Sequence, residues 1–131
     1  SIGLKKPFAG GNALLGAIEV ANKSVVTSGI YERFFERDGR RYHHILDPRS
    51  GYPLDNELDS VTIIADESLD CDIWTTLIYG MGVEKGCAAL RARPEIEAIF
   101  VTKQREIVLS SANHYRFTLL DDGYRLTVRT A

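Results

Sequence analysis

Hydrophobic and polar residues follow two different spacings along this chain. Toward both ends, short apolar or alternating runs are bounded by Gly, Pro, Asn, Asp or Ser, which is typical of β-strands separated by turns. In the middle, apolar residues recur every three or four positions, which is typical of an α-helix. The predicted strands are 2–4, 14–20, 24–27, 30–37, 40–46, 60–65, 96–102, 107–110, 116–120 and 124–128.

Two turn sequences indicate β-hairpins. The Asp-Gly pair at 38–39 is a strong signal for a two-residue type I′ turn. The Asp-Asp-Gly sequence at 121–123 predicts a second hairpin near the end of the chain. We therefore expect the strands on either side of each turn to pair with each other.

Glycine interrupts the third predicted strand, where Ser28 and Gly29 follow the apolar run at 24–27. A glycine inside a strand pattern indicates a β-bulge, or a place where another group approaches the backbone closely. A simple bend explains the same sequence equally well. The sequence therefore predicts an interruption of this strand at 28–29.

The helical spacing lies between residues 69 and 79, where Ile73 and Leu77 are four positions apart. Gly80 and Gly82 are stop signals for this helix. A second helix is predicted at 84–92, before Pro94. The sequence thus predicts a helical pair.

The size and composition of the chain describe one folded domain. It has 131 residues, of which 44% are hydrophobic and 26% charged, with a net charge of -2. Strands before and after one helical pair favour an α+β fold, in which the helical pair packs on a mostly antiparallel sheet. Mixed charge without a basic run argues against nucleic acid or an anionic membrane as the main partner.

Three further features bound the class of protein. Cys71 and Cys87 lie in predicted helices, and their spacing fits neither a zinc ribbon nor a redox pair, so we expect plain core thiols. No apolar run approaches the roughly 20 residues of a membrane-spanning helix. The chain opens at Ser1 rather than at methionine. We expect it to be a piece of a longer protein.

The densest group of chemically active residues is the stretch 42–51, Tyr-His-His-Ile-Leu-Asp-Pro-Arg-Ser-Gly. Alternate side chains of an extended segment point to opposite faces, so His43 and His44 cannot share a role. His44 could act as a general base or contact a phosphate, although a hydrogen-bonded structural histidine explains it too. Arg49 and Ser50 are placed for anion contacts, and an exposed turn explains them equally well. His114, in a later loop, is assigned no role.

A second candidate site lies at the start of the first predicted helix. Asp72 and Thr76 are four residues apart, so one face of a helix would present a carboxylate and a hydroxyl oxygen to a single hard cation. Two oxygens do not complete a Mg²⁺ site, which takes about six ligands, commonly including waters and substrate phosphates. The alternative is structural: an acidic residue favoured by the helix dipole, and a threonine bonded back to its own turn.

Three motifs in this order resemble the C-terminal half of the ApbE-like FAD:protein FMN transferases. They are Ser-Val-Val-Thr-Ser-Gly at 24–29, His-Ile-Leu-Asp-Pro-Arg-Ser-Gly at 44–51, and Asp72 with Thr76. The likeness extends over nearly the whole chain. The resemblance implies an α+β fold related to the T-fold and a Mg²⁺-dependent reaction on FAD. In this reaction FMN is joined through a phosphoester to a Thr or Ser of an acceptor protein, and AMP leaves.

The resemblance also implies roles for individual residues. Asp72 and Thr76 match the metal-binding helix pair of the family, and Asp72 belongs with His44 to the implied catalytic set. His44 matches the histidine of the turn motif, a candidate base for the acceptor hydroxyl. The implied flavin-nucleotide contacts are Thr27, Ser28, Gly29, His44 and Arg49.

The chain departs from the family pattern in a few places. Ile30 stands where Asp is frequent, and Ser50 stands where Thr is common. The N-terminal half of the family, which carries a Gly-rich motif and further flavin and metal contacts, has no counterpart here. We therefore expect severely reduced FMN transfer, or none, from these 131 residues alone.

Three functions remain open from the sequence: the FMN transferase, a flavin-nucleotide-binding module without turnover, and a hydrolase that splits FAD into FMN and AMP. The partners expected from the resemblance are FAD and an acceptor flavoprotein with a Thr or Ser target, and no nucleic acid is expected. The surface where the absent half would dock is also a candidate surface for self-association. Many relatives are lipid-anchored in the cell envelope, so the resemblance favours the envelope over the cytoplasm.

Overall fold

A computed structural model of the chain describes residues 2–5, 14–29, 34–37, 40–43 and 58–129. Within these ranges it contains ten β-strands and one α-helical element. Their bounds are β1 (Ile2–Lys5), β2 (Leu14–Val20), β3 (Ser24–Gly29), β4 (Phe34–Arg37), β5 (Arg40–His43), β6 (Leu58–Ala65), α1 (Ser68–Leu90), β7 (Glu97–Thr102), β8 (Glu106–Leu109), β9 (Tyr115–Leu119) and β10 (Arg125–Val128).

The described strands form three sheets. The largest has five strands in the order β10-β8-β7-β6-β3, and the second has three in the order β1-β2-β9. The third is the hairpin of β4 and β5, where Arg37 pairs with Arg40 as the Asp-Gly turn predicted. All described pairs are antiparallel except β10 with β8. The predicted fold class, α+β with a mostly antiparallel sheet, is confirmed.

The predicted C-terminal hairpin is wrong. The turn at 121–123 does form, with the Asp121 side chain accepting from the Gly123 amide at 2.9 Å. However, β9 pairs with β2, while β10 runs parallel to β8, so the two strands belong to different sheets. Backbone bonds hold β10 there, from the Arg125 amide to the Arg105 carbonyl and from the Arg129 amide to the Leu109 carbonyl. A turn sequence specifies a reversal of the chain, and it does not specify which strand the next segment joins.

The predicted interruption at 28–29 is also wrong. β3 continues through both residues, with Ser28 opposite Val61 and Gly29 opposite Ser60. The register along β3 and β6 is regular from Ser24 to Gly29. The strand tolerates the glycine because pairing with β6 fixes the ladder. The described irregularity in this sheet lies instead in β6, between Leu58 and Ser60.

The predicted helical pair is present as two helical segments within Ser68–Leu90, which meet at a break. Gly82 has φ 84° and ψ −177°, whereas the remainder of Ser68–Leu90 is helical. A φ of this sign is unfavourable for residues with a Cβ, which explains glycine at this position. The sequence located the break correctly, and the two segments lie closer together than the predicted bounds of 69–79 and 84–92. The described part of the chain contains no helix with the length and apolarity of a membrane crossing.

The core has two layers, one on each face of the five-stranded sheet. α1 covers one face, and the sheet of β1, β2 and β9 covers the other. Every residue of β6 is buried, as expected for a strand between two packed layers. Cys71 and Cys87 are buried free thiols, and burial raises the pKa of both, so the prediction of core thiols is confirmed.

Candidate functional site

Asp72 and Thr76 lie one helical turn apart on an exposed side of α1. The Thr76 hydroxyl donates to the Asp72 backbone carbonyl at 3.3 Å. This is the bond back to its own turn that the structural interpretation of the sequence expected. A hydroxyl that donates its proton still keeps lone pairs on its oxygen. The geometry therefore leaves the Thr76 oxygen able to coordinate a cation beside the Asp72 carboxylate.

The position of α1 in the fold determines where this pair points. Cys71, Thr75 and Ile78 are fully buried on the side of α1 that packs against the sheet, and the Cys71 thiol donates to the Ser24 carbonyl of β3. Because residues four apart share one face of a helix, the pair formed by Asp72 and Thr76 faces away from these buried positions. The pair is thus anchored by a packed helix and open on its outer side.

The chemistry of these two oxygens fits Mg²⁺, which prefers carboxylate, hydroxyl and water oxygens. Two protein ligands are too few for a complete site. Among the described residues, no three His, Cys, Asp or Glu side chains lie close enough together to hold a metal ion. The described residues therefore offer no complete set of such side chains, and Mg²⁺ commonly takes its remaining ligands from substrate oxygens and water.

Thr27 and Ser28 point to opposite faces of the five-stranded sheet. Val26 packs in the layer under α1 and Val25 packs in the layer on the other face. Since side chains alternate along a strand, Ser28 faces α1 and Thr27 faces away from it. The Thr27 and Thr62 hydroxyl oxygens are 2.8 Å apart across the strands. The sheet therefore separates the Thr27 side chain from the pair on α1, although both are candidate site residues.

Polar residues gather at one end of the pair formed by β3 and β6. Ser28 and Ser60 are completely buried, and neither hydroxyl has a hydrogen-bond partner within the described ranges. Asp59 is nearly buried as well, and burial raises its pKa while Lys103 opposes the shift. Unpaired buried hydroxyls cost roughly 1–3 kcal/mol each, and Ser28 and Ser60 place one such hydroxyl on each face of the sheet at this end of the two strands. Gly29, opposite Ser60, adds no side chain there.

The candidate residues of the turn motif lie outside the described residues. These are His44 and Arg49, together with the rest of 44–51. The strand before them is described as far as His43, which pairs with Phe34. The roles assigned to His44 and Arg49 stay predictions.

One polar cluster was missed by the sequence analysis. The Glu97 side chain is completely buried at the start of β7 and accepts four hydrogen bonds. They come from the Ser111 hydroxyl (2.6 Å), the Asn113 amide (2.7 Å), the His114 amide (3.0 Å) and the His114 ring Nδ1 (2.8 Å). Burial alone raises the pKa of Glu97, but these bonds outweigh it and hold the pKa below its usual value.

The signal that could have revealed this cluster is a carboxylate inside a buried apolar strand, Ile-Glu-Ala-Ile-Phe-Val at 96–101. Such a residue needs paired donors nearby. Ala98 and Phe100 face α1, so Glu97 points to the opposite face of the sheet. The cluster fastens the loop before β9 and does not belong to the pair on α1.

A surface cleft of about 820 Å³ opens near the C-terminal end of α1, between the helix and β10. Its lining includes Leu90, Ile96, Ser110 and Val128. The candidate site residues within the described ranges, from 27–29 and α1, do not line it. This cleft is therefore separate from the candidate site residues that the structure describes.

Comparisons with known proteins match this sequence to one family. Residues 1–100 match the model of the ApbE family. The chain is 66% identical to the FAD:protein FMN transferase of Klebsiella pneumoniae (strain 342), over its whole length and 42% of that protein. It is 42% identical to the FAD:protein FMN transferase of Treponema pallidum (strain Nichols), over 96% of the chain and 35% of that protein.

A solved structure gives the same result for the fold. The crystal structure of the ApbE protein from Thermotoga maritima superposes with a TM-score of 0.63 at 36% identity. The match covers 78% of this chain and 33% of that protein. The chain thus spans less than half the length of each of these relatives.

Proposed function

This chain belongs to the ApbE family, and on that premise we propose that it is part of a Mg²⁺-dependent FAD:protein FMN transferase. In the proposed reaction, the oxygen of a Thr or Ser hydroxyl on an acceptor protein bonds to the FMN phosphorus of FAD. The pyrophosphate P–O bond breaks, AMP leaves with the bridging oxygen, and the hydroxyl proton passes to a base. The observation that carries the proposal is the pair formed by Asp72 and Thr76, which lies on the exposed side of α1 while the opposite side of the helix packs against the sheet.

The metal would be held by the Asp72 carboxylate and the Thr76 hydroxyl oxygen. When bound, Mg²⁺ neutralises charge on the pyrophosphate and polarises its oxygens. A domain of net charge -2 benefits from a cation for this purpose, since a pyrophosphate would otherwise meet a surface of like charge. The hydrogen bond from Thr76 to the Asp72 carbonyl fixes the rotamer of the threonine and so positions its oxygen.

In this proposal, the remaining candidate site residues bind and orient the nucleotide and accept the proton. Residues 27–29, at the end of β3, border the flavin nucleotide through their backbone, since the Thr27 and Ser28 side chains point to opposite faces of the sheet. Gly29 lets a ligand come close to this backbone because it has no side chain. Arg49 contacts a phosphate. His44 takes the proton of the acceptor hydroxyl, which makes the oxygen a better nucleophile as the new bond forms.

A flavin-nucleotide-binding module without turnover is the second candidate. The observation that favours it is the small ligand set: within the described ranges, no three His, Cys, Asp or Glu side chains could hold a metal ion together. In this alternative the chain holds FAD weakly and transfers nothing. FAD hydrolysis to FMN and AMP, with water as acceptor, is the third outcome that an assay must separate.

The test is a titration of the chain with FAD, followed by flavin fluorescence, with and without Mg²⁺. The proposal predicts saturable binding that Mg²⁺ strengthens. Binding at a Mg²⁺-independent affinity contradicts the metal part of the proposal. Products are then analysed with an acceptor flavoprotein present and absent: covalent FMN on the acceptor supports the transferase, and FMN and AMP without any acceptor support the hydrolase.

The cell envelope is the proposed location, carried only by the resemblance to lipid-anchored relatives. Fractionation of cells that produce the whole protein, followed by detection in the envelope and cytoplasmic fractions, tests it.

A further inference from the structure

The cleft near the C-terminal end of α1 forms because the helix covers only part of the five-stranded sheet. α1 packs against buried residues of β6 and β7, whereas β10, at the outer edge of the sheet, is exposed along its whole length. The helix end, the loop at 110–113 and β10 line the cleft together. Its volume of about 820 Å³ lies within the range of about 300–1,000 Å³ that is usual for small-molecule sites.

One part of the lining is apolar. Leu90 at the end of α1 and Ile96 before β7 are buried residues that border the cleft. Pro94 and Val128 add apolar surface nearer to the solvent. This part of the cleft can cover the hydrocarbon portion of a ligand, which removes apolar surface from water.

The charge of the lining has one sign. Arg91 and Arg129 line the cleft, and the described residues that line it include no Asp or Glu. Arg129 bonds the Glu84 carboxylate through one nitrogen, at 2.5 Å, and the guanidinium group has further N–H donors. Since the whole chain has a net charge of -2, the positive lining is a local feature that favours an anionic ligand.

The wall formed by the loop at 110–113 presents a positioned donor. The Ser110 hydroxyl oxygen accepts a hydrogen bond from the Ala98 amide at 2.8 Å, so its own proton can be donated to a ligand. The buried Glu97 carboxylate holds the same loop through the Ser111 hydroxyl (2.6 Å) and the Asn113 amide (2.7 Å). The wall is therefore fixed before a ligand binds, which lowers the entropic cost of binding.

The end of α1 does not oppose an anion here. The C-terminal carbonyls of a helix carry partial negative charge. In α1 the Cys87 carbonyl accepts from the Arg91 amide, and the Leu90 carbonyl accepts from the Arg93 amide. The positive side chain of Arg91 at this end offsets the remaining partial charge.

We propose that this cleft binds a small amphipathic anion, consisting of an apolar chain or ring with a single carboxylate. The apolar part lies on Leu90 and Ile96, and the carboxylate lies between Arg91, Arg129 and the Ser110 hydroxyl. A guanidinium group can bind a carboxylate through two parallel N–H···O bonds. The proposal goes beyond FMN transfer and does not depend on it, because the described candidate residues of that reaction do not line the cleft.

The test is a titration of the isotope-labelled chain with octanoate, followed by the amide resonances in NMR spectra. Octanamide, which has nearly the same shape without the charge, is the matched probe. Arg91→Gln removes one positive charge from the lining. Arg93→Gln is the matched control variant, since Arg93 lies over the Trp74 ring at 5.7 Å and does not line the cleft.

Octanoate should shift the resonances of 110–113 and 127–129 saturably and bind at least about tenfold more tightly than octanamide. Arg91→Gln should weaken octanoate binding at least about threefold, and Arg93→Gln less than about 1.5-fold. Equal affinities for the two probes, or equal effects of the two variants, overturn the proposal. Absence of saturable shifts overturns it as well, as do shifts confined to the exposed apolar residues within 69–81.

A second variant keeps the test decisive if Arg91→Gln disturbs the fold. Val128→Glu places a carboxylate in the cleft at an exposed position, and it should weaken octanoate binding more than octanamide binding. Equal weakening for both probes contradicts recognition of the charge.

Two measurements separate this site from the proposed transferase site. Asp72→Asn should abolish the effect of Mg²⁺ on FAD binding and leave octanoate binding unchanged. FAD with Mg²⁺, added in excess, should leave the octanoate shifts at 110–113 and 127–129 in place. Displacement of octanoate by FAD would overturn the proposal of a separate site.

Discussion

Glu97 Oε1 and His114 Nδ1 lie 2.8 Å apart, joining a buried strand to the loop that leads into β9. The Glu97 side chain is completely buried, while the His114 ring is 40% exposed. With bonds from Ser111 and Asn113 as well, the carboxylate ties the loop to the start of β7 at four points. This loop therefore positions the start of β9, which pairs with β2 in the second sheet.

Replacing Glu97 by Gln should lower the free energy of unfolding by about 2 kcal/mol. The charge-assisted hydrogen bonds to the buried carboxylate are lost, and the side-chain NH₂ group of Gln is placed against hydrogen-bond donors. Urea unfolding followed by circular dichroism measures it. Glu95→Gln is the control: Glu95 is half-exposed with Arg93 at 3.8 Å, and its loss should change the free energy by less than about 0.5 kcal/mol. Equal effects of the two substitutions would show that the hydrogen bonds to the buried Glu97 carboxylate do not stabilise the fold.

The same carboxylate should give the chain an acid-dependent stability. The folded-state pKa of Glu97 is lower than its usual value, so its contribution is fully present above the unfolded-state pKa. It is lost as the pH falls through the folded-state pKa. The difference in unfolding free energy between the wild type and Glu97→Gln should therefore shrink toward acid pH. A difference that does not change with pH contradicts this assignment.

Two glycines of α1 should respond to alanine with opposite signs. Gly82→Ala should destabilise the chain by about 1–2 kcal/mol, because a Cβ is strained at φ 84°. Gly80→Ala, at an exposed helical position two residues earlier, should stabilise it by up to about 1 kcal/mol. Thermal unfolding of the two variants side by side measures the difference. Equal changes would mean that residue 82 adopts an ordinary helical conformation in solution.

The hydroxyl pair of Thr27 and Thr62 should behave as a coupled unit. Thr62→Val removes the partner of Thr27 and should cost about 1–2 kcal/mol, while the double replacement by valine should cost less than the sum of the single ones. A double-mutant cycle on unfolding free energies measures the coupling. Strictly additive effects would show that the 2.8 Å contact contributes nothing.

Local patterns predicted most of the elements, and packing decided what they could not. The strands, the hairpin at 38–39, the helical break at Gly82 and the buried cysteines were all predicted from short spacings. The partner of β10 was not predicted, because a turn at 121–123 contains no information about the exposed edge of β8. The continuation of β3 through Gly29 was not predicted either, because pairing with β6 sets the register of this strand.

The candidate site divides in the same way. Helical spacing was enough to place Asp72 and Thr76 side by side. Adjacent side chains of β3 point to opposite faces of the sheet, so the side chains of Thr27 and Ser28 lie in two different places rather than in one site. The Glu97 cluster escaped notice because its donors lie 14 to 17 residues away along the chain and meet the carboxylate only after β7 and β8 pair.

The most direct test of the central claim is the response of FAD binding to Mg²⁺ in Asp72→Asn, compared with Asp70→Asn. Asp70 is an exposed carboxylate in the first turn of the same helix, so it controls for the loss of one negative charge. The account predicts that Mg²⁺ strengthens FAD binding to the wild type and to Asp70→Asn, and has no effect on Asp72→Asn. An unchanged Mg²⁺ response in Asp72→Asn would remove Asp72 from the metal site and contradict the account.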